Sequence, residues 1–237
     1  MCSFVPDDEP RLKAADLSRL AQQRLQELQA AGEEVHPVVG KGKKLAAHFW
    51  GSAWMKHLAR CESGGLNLAP GRTLLRHGCV LDVRVEPCAI HALVSADRLY
   101  TVQLRLKPLD EERLETLKTL CHGRVESAVS LLEGRVDEAV LTHLCDPDAG
   151  LLPDPADWKM NCDCTDWSEP CAHAAAAVYA AGVLADADPS LLFTLRGISA
   201  QELMQPPAAP ATPAADFDAA ALSAVFGIDL DIPTAGK

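Results

Sequence analysis

The chain lacks several features that would place it in a familiar class. Its longest purely apolar run, the alanine-rich 174–181, falls far short of the roughly 20 residues that cross a bilayer. The opening residues, MCSFVPDDEP, offer neither a basic n-region nor an apolar h-region, so no secretory leader is expected and the expected compartment is the cytoplasm. No phosphate-cradling glycine loop is present: GKGKK at 40–44 misses the Walker spacing, which argues against an ATPase. No internal repeat stands out. Basic residues are also scarce, with 22 Lys and Arg against 33 Asp and Glu and a net charge of −11. That balance argues against non-specific binding of nucleic acid by the whole chain.

What is present is enough for a packed core. Hydrophobic residues make up 48% of the 237, which excludes global disorder. The charge is unevenly spread. Residues 1–34 carry −3 and 108–237 carry −15, whereas 35–107 carry +7. The middle segment alone would attract phosphate, with Lys41, Lys43, Lys44 and Arg72 as the candidate contacts. Alternatively, both charge sets are solvated faces that neutralise each other on folding. Nine cysteines, an odd number, do not read as a disulfide framework. In a reducing compartment clustered cysteines serve as metal ligands and scattered ones as buried apolar groups.

Periodicity divides the chain into four parts. Residues 1–34 hold an amphipathic helix, 11–31, with Leu17, Leu20 or Ala21, Arg24 or Leu25, and Leu28 near one face and Gly32 at its end. Residues 35–145 read as an α+β domain. A short helix after Gly51 carries Phe49, Trp50, Trp54 and Leu58 on its apolar face. The stretches 72–85, 88–94 and 100–106 alternate apolar and polar residues and predict three strands in an antiparallel meander with flanking helices. Asp110 then caps a helix to about Cys121, followed by helices near 124–133 and 136–144. Residues 146–204 form a third part. In the fourth, 205–237, a Pro/Ala linker precedes an acidic tail whose Phe217, Val225 and Phe226 lie along one possible helical face. That face is a candidate for docking a protein partner.

The third part holds the strongest signal. Cys162-x-Cys164, six residues, then Cys171-x-His173 brings four soft or borderline ligands into twelve residues. Zinc takes four such N and S donors in a tetrahedron. Cys162 and Cys164 present two thiolates from one extended turn. Cys171 and His173 both face an ion only if they occupy the first turn of the helix that 171–184 predicts. Three thiolates and one imidazole complete the shell, which describes a structural site with no place for a reactive water. Structural zinc contributes about 10–16 kcal/mol in small peptides, so the segment is expected to lose its fold without the ion.

This pattern resembles the SWIM zinc-finger family, whose signature is Cys-x-Cys, a spacer, then Cys-x-His. The likeness extends to FWGSAWMKHL at 49–58, LLRHGCVLDVRV at 74–85, SADRLYTVQLRL at 95–106 and DPSLLFTLRGISAQELM at 188–204. Together these span about 48–204. The resemblance implies a zinc-binding module that binds nucleic acid or protein rather than an enzyme, with a helicase-like ATPase or another protein of DNA metabolism as partner. One departure bears on this. Where many members would carry a basic residue between the last Cys and His, this chain has Ala172, and Asp163, Asp166 and Glu169 surround the ligands. Phosphate should be repelled from that face, which leaves the basic 35–107 segment as the surface for direct DNA or RNA binding.

Other constellations are weaker. His77 with Cys79 and Cys88 with His91 offer a second Cys2His2 set, but core packing explains the cysteines equally well. Cys121-His122 and His143-x-Cys145 lack a third, activating group. Trp50 and Trp54 read as core before they read as a stacking platform.

Overall fold

The expected meander forms, and a fourth strand joins it. The computed structural model describes residues 13–208. In order, its elements are α1 (Ala14–Ala30), α2 (Phe49–Ser63), α3 (Ala69–Arg76), β1 (Val80–Glu86), β2 (Ala89–Ser95), β3 (Leu99–Leu106), α4 (Glu111–Cys121), α5 (Ala128–Leu132), α6 (Glu138–Leu144), β4 (Trp158–Cys162), α7 (Ala172–Ala187), α8 (Ser190–Thr194) and α9 (Ala200–Leu203). The class is α+β. The sheet runs β1-β2-β3-β4 with every pair antiparallel.

Alternation in sequence becomes two faces in space. Ile90, Ala92 and Val94 on β2 and Val102, Leu104 and Leu106 on β3 are buried. The opposite parity gives a polar row across all four strands, Arg84–His91–Gln103–Asn161, set by the register. Helix α7 packs against all four strands and against α2 and α3, so it is hydrophobic all round, as a central helix must be. Its run from Ala174 to Ala181 is buried throughout. Short side chains let the neighbouring helices come close. A Cβ on Gly71 of α3 would lie 2.3 Å from the Ala176 backbone nitrogen, and one on Gly182 of α7 would lie 2.2 Å from Trp54.

The tryptophans are core. Trp50 and Trp54 are each 1% exposed. Their indole N–H groups donate to the carbonyls of Leu131 and Val178 at 2.9 and 3.0 Å, which removes the cost of burying them.

Four local expectations are corrected. The stretch 72–85 is not one strand: α3 occupies its beginning, started by Pro70 at a position where the missing N–H costs nothing. Helix α2 begins at Phe49 rather than after Gly51. The carboxylate of Asp186 on α7 accepts the N–H groups of Ala47 and His48 and so caps α2 from outside, while Phe49 lies at the surface, 36% exposed. The helix expected at 124–133 contracts to α5, because the Ser127 side chain caps it by accepting from Ser130 N–H. Strand β4 was not anticipated. It carries alternation of its own, with Trp158 buried and Lys159 and Asn161 exposed, but is only five residues long. Its pairing with β3 puts residues from 35–145 and from 146–204 in one sheet. The partner-docking candidates Phe217, Val225 and Phe226 lie outside the described residues.

Candidate metal centre

The four cysteine and histidine side chains converge where β4 ends and α7 begins. Cys162 is the last residue of β4, Cys164 lies two residues on in the loop, Cys171 is the N-cap of α7, and His173 sits in its first turn. That is the placement the Cys-x-His spacing requires. Their ligand atoms all lie within 4.8 Å of one another, and Cys162 Sγ is 3.8 Å from His173 Nδ1. A tetrahedral ion with bonds of about 2.0–2.3 Å needs donor atoms roughly 3.3–3.8 Å apart. The Cys162–His173 separation meets that range and the other separations stay within 4.8 Å, so the four donors are near enough to close on one metal ion. They are the only such Cys/His/carboxylate group among the described residues.

The protein prepares the donors in recognisable ways. The Ala174 backbone N–H donates to Cys171 Sγ at 3.4 Å. This bond and the helix N-terminus both favour a thiolate there. Burial opposes them. It raises the Cys162 and Cys171 thiols and lowers the His173 imidazole. Without a cation burial therefore favours thiols at Cys162 and Cys171 and a neutral ring at His173, and a bound cation displaces the thiol protons.

A supporting layer was invisible to sequence reasoning. The Tyr100 ring stacks on the His173 imidazole at 3.8 Å and 20°. Its hydroxyl donates to Asp97 at 2.7 Å, and the Arg98 guanidinium lies over the same ring, 4.2 Å from its centroid. Arg98 also pairs with Asp163 at 3.4 Å, and Asp163 in turn accepts Thr101 N–H. From α1, Arg24 donates to the Ser95 hydroxyl and to the carbonyls of Ala96 and Asp97. One connected path thus runs from α1 through the β2–β3 turn to a metal-site imidazole. The only advance signal was the proximity of a tyrosine, an arginine and an aspartate in SADRLY, some seventy residues before the ligands.

The other sequence candidates separate. Lys41, Lys43 and Lys44 stand exposed in the loop between α1 and α2. Arg72 is committed elsewhere: it bridges α3 to Glu62 on α2 at 2.5 Å and to the Tyr179 hydroxyl on α7 at 2.7 Å. His77 meets Ser18, Cys79 is fully buried, and His91 faces Glu86, so the second Cys2His2 set does not assemble. Burial raises the Cys121 and Cys145 thiols to about 11, the opposite of activation. A further pair, Cys61 and His57, is buried on α2 with Sγ 3.6 Å from Nε2. That nitrogen donates to the Pro153 carbonyl at 2.9 Å, so it already bears its proton and cannot take one from Cys61, itself raised to about 11.

Comparison of the chain with protein-family models, curated proteins and solved structures returns no match. No helix among the described residues is long and apolar enough to cross a membrane.

Proposed function

We propose that the chain is a SWIM-type zinc-finger protein that binds a protein partner and catalyses no reaction. The observation that carries this reading is the closed donor set, with three sulfurs and one ring nitrogen within 4.8 Å. Sulfur-rich tetrahedral sites select zinc over harder cations, and four protein ligands leave no position for a reacting water. When bound, zinc supplies a fixed cross-link and no acid–base chemistry. Cys162 and Cys164 anchor the end of β4, Cys171 and His173 anchor the start of α7, and the loop between them is held as a surface. The partner class implied by the family resemblance is a helicase-like ATPase or another protein of DNA metabolism. The acidic loop, with Asp163, Asp166 and Glu169 exposed, favours a protein partner over phosphate.

A second reading, direct binding of DNA or RNA, draws on one observation: Lys41, Lys43 and Lys44 stand exposed together on one loop. With Arg72 occupied, the cationic surface is smaller than the charge of 35–107 implies. One experiment separates the two. Zinc-loaded chain and its Cys171→Ser variant are used as bait after nuclease treatment. Recovery of one protein by the wild type alone supports the adaptor. Loss of all partners to nuclease, with oligonucleotide binding that weakens steeply with salt, supports the second reading.

A further inference from the structure

We infer that the free edge of β4 and the adjoining metal-site loop bind an extended peptide segment of a partner protein that alternates apolar and basic residues. The inference rests on the adaptor reading above, because the bound ion has to hold that loop in place.

Strand β4 ends the sheet order, so among the described residues one of its edges has no neighbouring strand. Two backbone bonds fix which groups point outward. Asp163 N–H donates to Thr101 and Lys107 N–H donates to Asp157. With the register between them, these place Lys159 and Asn161 in the bonded positions facing β3. Met160 and Cys162 therefore turn their N–H groups away from the sheet, and Met160 its carbonyl as well. An unpaired edge is a template for another strand, and proteins usually guard such edges with prolines, several charges or a covering element. Here the strand contains one charge, Lys159, and no proline.

The edge adjoins the mouth of the metal site, a cavity of about 290 Å³ lined by the ligands Cys162, Cys164 and Cys171, by the apolar Met160, Trp167 and Pro170, and by polar side chains of the loop. Met160, Trp167 and Pro170 are the apolar groups that alternate side chains of an added strand would meet there. Trp167 is 97% exposed, whereas Trp50, Trp54 and Trp158 are all buried. A solvated indole beside a groove is the kind of anchor that interfaces bury, and its face also attracts cations. The loop supplies Asp163, Asp166 and Glu169. Asp163 is partly offset by Arg98, but among the described residues no cation pairs with Asp166 or Glu169. A Cys3His zinc site adds about one further negative charge. This charge favours lysine or arginine on the incoming strand and disfavours nucleic acid. A second copy of the chain would set like charges against each other.

The test uses the full, zinc-loaded, isotopically labelled chain and a capped peptide of alternating valine and lysine, with a valine–glutamate peptide as control. Amide exchange at Met160 and Cys162 is expected to slow with the lysine peptide and not with the glutamate peptide. Replacing Asp166 and Glu169 together by Lys should weaken binding about tenfold. Met160→Pro removes an outward N–H while sparing the β3 ladder, and should abolish binding at unchanged zinc content. Equal binding of both peptides, full binding by the proline variant, no protection of the two amides, or an oligonucleotide protecting them better would each overturn the inference. Zinc content of the same samples separates the failures. One zinc per chain without peptide binding sinks only the docking surface, whereas absence of zinc sinks the finger reading and this inference together.

Discussion

His173 shows how much of a metal site lies beyond its ligands. The ring is clamped by Tyr100, which is itself held by Asp97 and flanked by Arg98. Groups that orient a ligand commonly change metal affinity 10–100-fold when removed. Tyr100→Ala is therefore expected to lower affinity about tenfold in competition with a chromophoric chelator, and Tyr100→Phe, which keeps the stack, to lose less. Equal affinities for all three proteins would show that the stack is incidental. The ligands themselves were legible in sequence because their spacing is local: a strand end and a helix start need no tertiary information. Tyr100 was not, since only the pairing of β3 with β4 brings residue 102 opposite 162.

At the scale of elements, α7 joins the metal site to the core. The sequence placed a helix at 171–184 correctly, but treated 146–204 as a module dependent on its ion. The structure gives α7 a wider role, buried against α2, α3 and the sheet. Most of its stabilisation is apolar burial that zinc does not supply. Chelation is accordingly expected to speed amide exchange in 163–174, the loop and the first turn of α7, while the middle of α7 and strands β1–β3 keep their protection. Loss of protection throughout 146–204 would restore the sequence expectation of a separate, metal-dependent module. Strand β4 escaped notice for a similar reason. Five residues of alternation are too few to stand out, and the strand exists because β3 offers it an edge.

For the molecule as a whole, the α+β class was legible because alternating strands and a capped helix are local patterns. The segmental charge was legible too, but not its use: Arg72 counted toward a basic surface until the fold joined it to Glu62 and Tyr179. The scattered cysteines and His57 set a pH window. Burial raises the Cys61, Cys79, Cys121 and Cys145 thiols from 9.0 to about 11. Their folded values exceed the unfolded ones, so their contribution is intact below about pH 9 and is lost as pH climbs toward 11. Burial lowers His57 from 6.5. Its contribution is therefore present above that value and declines as pH falls below it. Denaturant midpoints of zinc-loaded protein should form a plateau between about pH 6.5 and 9 and fall on both sides. Stability that still rises from pH 9 to 11 would mean these thiols are not buried as described.

The proposed function stands or falls with a complete shell of three sulfurs and one nitrogen around zinc. X-ray absorption at the zinc edge, on protein purified without added metal and paired with elemental analysis, tests it most directly. One zinc per chain is expected, with three sulfur neighbours at about 2.3 Å and one nitrogen at about 2.0 Å. An oxygen neighbour in place of one of these, or no bound metal, would contradict it.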